Sequence, residues 1–537
     1  MSHIKMILGT LSCVVLFNGA FAATIPAGTQ LAKVQEIVRH IKDEPSSLDP
    51  IQAVGLPEIQ VARDLFEGLL NQDEKGNVIP GVAERWEQKD NVYTFHLRKD
   101  ARWSNGDSVT AGDFVYSWQR LVDPKNTSSF SWFAKLAEIG MAEDILAGKA
   151  SPQSLKVKAI DDHTLQVTLN HTVPYFLNLM TSFSLYPVHK ATVEKNGLAW
   201  TKPENIVGNG AFRLQGRVVN EKLVLVPNEY YWDNKNTVLT KVTFIPINQE
   251  STATKRYQAN DIDITESFPK NMYKRLQEIL PGQVYTPDQL GTYYYAFNTQ
   301  RAPLNDGRVR LALSLAIDRQ IITEKVLGTG EKPAWHFTPD VTSWFKPTIG
   351  KYQAMSQSER DALAKSLIEA AGYSPEKPLH ISLLYNTSEN HEKIAIAVAS
   401  MWKKKLGVSV KLTNQEWKTY IHSRNTGQFD VVRASWVGDY NEASTFLTLL
   451  TSSHAGNISQ FKSPEYDRLL ASARQLSDNN KRNDIYNHAE DIIQQQAPIA
   501  PIYQYTNSRL IKPWVKGYPI NNPEDTAYSR TMYIIKH

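Results

Sequence analysis

Near residue 300 the spacing of apolar residues changes from a strand-rich pattern to alternating strands and helices, and the length of 537 residues is enough for about three or four domains. Before that point Val92 to Leu97 is a run of β-branched and aromatic residues, followed by the tight-turn pair Asn105-Gly106. Thr110 is placed to cap a helix carrying Phe114, Trp118 and Leu121 at helical spacing. Ala211 to Leu214 and Leu223 to Val226 predict a hairpin joined through Gly216 and Asn220, and Val242 to Ile247 predicts a further strand. After residue 300 Asp306 caps a helix with the face Val309, Ala312, Leu313, Ala316 and Ile317. Ile381 to Leu384, a helix through Ile394, Ala397, Val398, Met401 and Trp402, then Val408 to Leu412 and Phe429 to Ala434 alternate in the order that builds parallel α/β units. Ser463 and Pro464 fit the N-cap and first positions of another helix, and the last thirty residues return to extended chain rich in Pro, Tyr and Asn.

The amino terminus sets the compartment. Lys5 precedes an apolar stretch, Met6 to Phe17, that is too short to span a bilayer, and Ala20-Phe21-Ala22 has the small-x-small form of a cleavage site. A secretory signal over residues 1–22 is expected. The single cysteine, Cys13, lies inside the apolar stretch; a lipid-anchored cysteine is the alternative, and otherwise the mature chain has none. No later segment approaches the length of a spanning helix. With 59 Lys+Arg against 55 Asp+Glu the net charge is only +4, which argues against a nucleic-acid binder, and 42% hydrophobic residues argue against disorder.

The sequence carries little that suggests reaction chemistry. There is no His-Glu-x-x-His, paired-Cys, Gly-x-x-x-x-Gly-Lys-Ser/Thr or Gly-x-Ser-x-Gly pattern. Ser374-Pro375-Glu376-Lys377 matches Ser-x-x-Lys formally but sits in a Pro-rich connection after Gly372, and His391-Glu392 begins a helix without a second His four residues on; both read as surface. No enzyme, cofactor or metal is expected. What remains is a charged and aromatic cluster, Trp417, Arg424, Arg433, Trp436, Asp439 and Glu442, on and around one strand. A strand with free backbone groups next to an anion and cations can align a zwitterionic peptide: main-chain bonds ignore side chains, a carboxylate takes the ammonium, and an Arg takes the carboxylate. Ordinary surface ion pairs are the competing explanation.

Several long stretches then resemble the bacterial periplasmic oligopeptide-binding proteins, solute-binding partners of ABC peptide importers. They are SLDP at 47–50, RDLFEGLL at 63–70, Val82 through DARWSNGDSVTAGDFVYSWQR, LYNTSENH at 384–391, NQEWKTY at 414–420 and RASWVGDYNEAS at 433–444. VGLPEIQ at 54–60, GTYYYAFNTQ at 291–300, VLGTGEKPAWHFTPDV at 326–341 and the tail from Lys516 to His537 are similar to the branch that captures the murein tripeptide L-Ala-γ-D-Glu-meso-diaminopimelate. The resemblance implies an α/β, periplasmic-binding-protein type II-like fold of three domains, with two lobes closing about a hinge. The implied boundaries are 23–66, 190–290 and 507–537 for the first lobe, 67–189 for a small domain and 291–506 for the second lobe. It also implies a periplasmic monomer that delivers peptide to a membrane permease. A general oligopeptide or nickel-chelate binder, and a periplasmic peptidase or chaperone, are the alternatives.

The resemblance carries site residues one at a time. Asp439 matches the aspartate that holds the peptide ammonium. Ala434, Ser435, Trp436 and Val437 match the strand that pairs with the peptide, and Val54, Gly55 and Leu56 match an opposing strand. Arg424 and Arg433 face the carboxyl half of the ligand, while Trp417, His391, Phe130, Tyr294, Asn457 and Tyr505 match pocket positions. Some fittings of the general binders are missing: a disulfide at positions matching Gly291 and Val437, an acidic residue matching Val54, and a Lys matching Leu327. These departures imply a short ligand of fixed length, with Arg424 the candidate partner of the free α-carboxylate of γ-D-Glu unless it pairs with Asp430 or Glu416.

Overall fold

The structure is a computed structural model. It describes residues 23–537 apart from Val54, Ser129, Glu416, Ala455 and Ser477, and apart from the side chains of Glu389, Trp417, Lys418 and Ile421. The expected signal, Cys13, Val54, Glu416 and the Trp417 side chain therefore lie outside the described residues.

The chain opens with β1 (Glu36–Ile41) and α1 (Leu56–Leu65), then builds an antiparallel sheet from β2 (Ala83–Lys89), β3 (Val92–Leu97), β4 (Val157–Asp161) and β5 (Thr164–Thr168), in the order β2-β3-β5-β4. Between β3 and β4 runs α2 (Ala111–Val122). Asp113 locks its first turn by accepting the Thr110 N–H at 2.8 Å, and Phe114, Trp118 and Leu121 form its buried face as the spacing predicts. The chain returns through β6 (Phe212–Val218), β7 (Lys222–Pro227) and β8 (Lys241–Pro246), and β8 pairs in parallel with β1 to complete a four-stranded sheet, β1-β8-β7-β6. The hairpin turns at Asn220, which adopts φ +60°. Gly216 is not part of the turn: it lies inside β6 at a register shift after Leu214, the bulge position that a strand glycine marks.

The second body is a six-stranded sheet. Its strands are β10 (Asp288–Phe297), β11 (Lys332–Pro333), β12 (His380–Asn386), β13 (Ser409–Gln415), β14 (Val431–Val437) and β15 (Ile499–Thr506), and it is entered after the short β9 (Val284–Tyr285) and left through β16 (Arg509–Leu510). The order is β11-β15-β10-β14-β12-β13. The parallel units expected from the sequence are β12 with β13 and β12 with β14; β10, β11 and β15 add antiparallel pairs, so the sheet is mixed. One face is covered by α3 (Gly307–Ala316) and α4 (Glu389–Leu406), which bury Val309, Leu313, Ile394, Val398 and Trp402. On the other face Phe337, Phe446, Leu447 and Tyr466 pack with residues of α6 (Pro464–Ala473) and α7 (Asn479–Gln496), and Ser463 caps α6 as its side chain accepts the Tyr466 N–H. α5 (Trp417–Asn425) leads from β13 toward β14.

The connections into and out of this sheet, between β9 and β10 and between β15 and β16, lie side by side, the Asn507 N–H donating to Pro287 O at 2.8 Å. The extended tail packs on the first body: Gln35 brackets the Ile534 backbone with bonds of 2.8 and 2.9 Å, and the Ser529 hydroxyl donates to Asp64 at 2.6 Å.

Two of the quoted stretches serve the fold. Asp49 of SLDP is clasped by Arg120 at 2.9 Å and by the Trp200 indole at 3.3 Å. Glu67 of RDLFEGLL, fully buried, accepts from Tyr231 and Trp232 at 2.7 Å each. Ser374, the Ser-x-x-Lys serine, bonds Glu376 on an exposed turn, as a solvated loop does.

Candidate functional site

β14 has one covered edge and one partly open edge. On one side β10 pairs along its whole length, from Phe297↔Val431 to Gly291↔Val437. On the other, β12 pairs only with Val431 and Val432. The direction of the free groups follows from alternation in an antiparallel ladder. Gly438 N–H donates to Leu290 O and Asp430 O accepts from Asn298 N–H, so even-numbered residues turn their backbone toward β10 and odd-numbered ones away. Arg433 O, which faces away, accepts from the Tyr420 hydroxyl. Ser435 and Val437 therefore aim N–H and C=O groups at the side that β12 has left, a template for an added extended chain.

The side chains of this strand and its neighbours converge there. Arg433 is 8% exposed and donates to Asn386 Oδ1 at 3.3 Å, Ser435 Oγ at 3.1 Å and the Tyr505 hydroxyl at 3.0 Å, with its guanidinium 4.9 Å from the Tyr293 ring centre. Among the described residues no carboxylate pairs with it, so a buried cation waits without a counter-ion. His391 lies 5.6 Å ring to ring from Tyr293. Burial first, and then the charges of Arg433 and Lys270, push its pKa down to about 3, so the imidazole is neutral, and its buried Nδ1 has no partner. It packs within this group beside Tyr293 and is not the surface cap that its position in the sequence suggests.

Asp439 follows the end of β14. Water reaches its side chain, yet protein surrounds it at longer range, as happens on the wall of a cleft, and this burial pushes its pKa up to about 6. Its backbone N–H is held by Thr445 Oγ1 at 3.1 Å, while its carboxylate has no hydrogen bond or ion pair among the described residues. A cation placed there would restore the ionised form. Proton and cation then compete for one carboxylate, so affinity for a ligand ammonium is expected to be flat above about pH 7 and to fall as pH drops through 6. Calorimetric titrations from pH 5 to 8 check this, and Asp439→Asn should lose the dependence.

Arg424 is half-buried at the end of α5, where Nε donates to Asn425 at 3.1 Å and the guanidinium stands 5.9 Å from the Tyr420 ring centre. Asp430 is not its partner, being held by Arg301 at 3.2 Å and by Ser382 at 2.7 and 2.8 Å. Trp436 is partly exposed with its indole Nε1 buried and unpartnered. Gly291 and Val437 are direct cross-strand neighbours, with a Cβ on Gly291 only 3.3 Å from Val437 Cγ2.

Three expected positions differ. Tyr294 is 5% exposed and packs edge-on against Phe337 at 4.9 Å, so it supports the sheet from the core beneath. Asn457 is spent on its own loop: Nδ2 donates to Thr451 O and Phe461 O, and Oδ1 accepts from Ser459 and Phe461. Leu56 is the first residue of α1 rather than part of a strand, because Pro57 fits a helix start and cannot donate to a ladder; Gly55 before it is extended but paired to no strand. That segment lies beside Phe130, since Ser128 Oγ donates to Ile51 O at 2.7 Å and Gln52 to Asn126 O at 2.7 Å, while Phe130 itself packs edge-on on Phe183 at 4.9 Å. No hydrogen bond or ring contact joins this group to the Arg433 group among the described residues. Sequence reasoning missed Tyr293 and Asn386, although Asn386 lies in the quoted stretch 384–391 and Tyr293 in 291–300.

The model of bacterial extracellular solute-binding proteins, family 5 middle, matches residues 77–457. The chain belongs to this family. Solute-binding proteins similar to it include the periplasmic murein peptide-binding protein MppA of Escherichia coli, 68% identical over 96% of each chain, and the periplasmic oligopeptide-binding protein OppA of Salmonella typhimurium, 48% identical over 98% of each. Among solved structures, the unliganded open form of the murein tripeptide-binding protein matches with a TM-score of 0.88 at 68% identity, covering 95% of this chain and 99% of that one. The structure described as that of the Escherichia coli murein tripeptide-binding protein matches at 0.79 with the same identity, covering 95% and 100%. At the same sequence identity this solute-binding protein superposes more closely on the open form. It is a binding protein and not an enzyme.

Proposed function

We propose that this protein captures the murein tripeptide L-Ala-γ-D-Glu-meso-diaminopimelate between two lobes and hands it to the membrane permease of an ABC peptide importer. The open side of β14, ending at a carboxylate and flanked by a buried guanidinium that have no counter-ion among the described residues, carries the reading: it is complementary to a short zwitterionic chain. In it Asp439 holds the ammonium, Ser435 and Val437 bind main chain, and Arg433 takes a carboxylate. Residues 1–22 direct export to the periplasm, where the protein acts as a monomer. The first lobe comprises 23–66, 190–290 and 507–537, with the small domain 67–189 attached, and 291–506 closes on them about the crossings at Pro287 and Asn507; the parallel pairing of β1 with β8 and the docked tail support this division. Ligand contacting both lobes favours the closed state by its differential affinity.

The murein reading rests on Arg424. A γ-linked D-Glu keeps its α-carboxylate, an anion that an ordinary α-peptide lacks at that point, and a charge-assisted bond to guanidinium is worth about 1.5–3 kcal/mol. Wild type is expected to prefer the murein tripeptide over Ala-Ala-Lys by at least tenfold, and Arg424→Ala to erode that preference by weakening the murein ligand. Parallel titrations decide it. Equal losses for both peptides sink the assignment and leave the second reading, a general oligopeptide binder, which the likeness to OppA and the sequence-blind backbone contacts of β14 support.

A further inference from the structure

The chamber around Arg433 has a second cation that the reading above leaves unused. Lys270 stands in a 3₁₀ turn (Lys270–Met272) ahead of β9, and its ammonium reaches Glu331 Oε1 at 2.8 Å. The Glu331 side chain is fully buried and also accepts the Thr329 N–H at 3.2 Å and hydroxyl at 2.6 Å. Burial alone would push this carboxyl up; the Lys270 charge and these hydrogen bonds outweigh it and hold the pKa below the usual range, so the pair is ionised. β11 pairs with β15 as Lys332↔Gln504 and Pro333↔Tyr503, which puts Glu331 one register position on, across from Tyr505, whose hydroxyl binds Arg433. The His391 ring feels both Lys270 and Arg433. The charges of both cations therefore bear on one neutral imidazole, which packs on the same Tyr293 ring as Arg433 and whose buried Nδ1 has no partner among the described residues.

A peptide with one terminal carboxylate needs only one of these cations. The Lys270 side chain is 34% exposed and spends one of its three donors on Glu331, leaving two for a ligand. We infer that Lys270, fixed in place by Glu331, is a specificity residue for a second carboxylate at the carboxyl end of the ligand, which in the murein tripeptide is the distal carboxylate of meso-diaminopimelate. The inference rests on the murein reading and extends it. Diaminopimelate is lysine with one added carboxylate on the ε carbon, so a positioned ammonium at that point separates the two residues by the one group in which they differ.

The test compares L-Ala-γ-D-Glu-meso-diaminopimelate with L-Ala-γ-D-Glu-L-Lys by calorimetry on wild type, Lys270→Met and the double variant Lys270→Met/Glu331→Gln, which removes both charges and so leaves no buried carboxylate alone. Melting curves verify that each variant is folded. Wild type is expected to favour diaminopimelate at least tenfold, and the double variant to bring the ratio below threefold, the loss falling on the diaminopimelate ligand. An unchanged ratio, or equal losses for both ligands, overturns the inference and makes the pair a plain tie between the two bodies. Wild type binding both without preference overturns only this inference, whereas wild type binding neither overturns the murein reading itself.

Discussion

Asp439→Asn is expected to weaken tripeptide binding by roughly two to three decades. On the proposed reading lobe closure takes Asp439 and the ligand ammonium out of water, and removing one member of such a pair leaves the other without compensation, at a cost of about 3–5 kcal/mol, where 1.4 kcal/mol is a decade in dissociation constant. Asn keeps the size of the side chain and the Thr445 bond to the backbone N–H, so the fold is left in place. The raised pKa of about 6 also predicts the direction of a second effect: the empty protein carries an unfavourable carboxylate above that pH, so Asn at this site should not lower the melting temperature near neutrality. A binding loss under threefold by calorimetry would make the aspartate structural.

The other large effect belongs to Arg433. Its guanidinium is buried among Tyr293, Tyr505, Ser435 and Asn386 with no carboxylate beside it among the described residues, so on the proposed reading a ligand carboxylate is its counter-ion. Arg433→Met keeps the aliphatic stem and removes the charge. Truncating one side of such a buried pair costs about 2–5 kcal/mol of affinity, and it should fall alike on the murein tripeptide and on Ala-Ala-Lys, because each has a terminal carboxylate. That separates Arg433 from Arg424, whose loss is selective. Retained affinity for both peptides, or a protein that melts several degrees lower, would mean that Arg433 holds the sheet together and does not bind ligand.

Much of the fold is legible in local chemistry. Val92 to Leu97 reads as a strand with the observed limits, and the caps at Thr110, Asp306 and Ser463 open the expected helices, because each signal is contained within a few residues. What is not legible depends on distant chain. The antiparallel addition of β10 and β15 to the parallel α/β units joins residues 134 to 218 positions apart, for example Tyr295↔Arg433, and no period in the sequence encodes it. Gly216 invites a turn but makes a bulge, since Asn220 takes the left-handed position four residues later. The site shows the same division. Asp439 and Arg433 stand out as charges flanking a strand, whereas the burial of Tyr294 and the self-satisfied amide of Asn457 depend on partners that only the folded chain supplies. Lys270 and Glu331, 61 residues apart, give no sign of each other in the sequence.

The limited pairing of β12 with β14 has a chemical consequence for any γ-linked ligand. Ser435 and Val437 offer hydrogen-bonding groups at the repeat of an α-peptide, and a γ-linked glutamate inserts two extra methylene carbons into the main-chain path. On the proposed reading backbone grips the first residue, and the amide beyond the two added carbons falls to side chains that can reach it. Address and grip are thereby separated: the strand supplies a generic handle, and the surrounding charges spell out which molecule is held. A lineage built on such a scaffold can be retargeted by exchanging a few ionic residues while every strand of the sheet stays where it is.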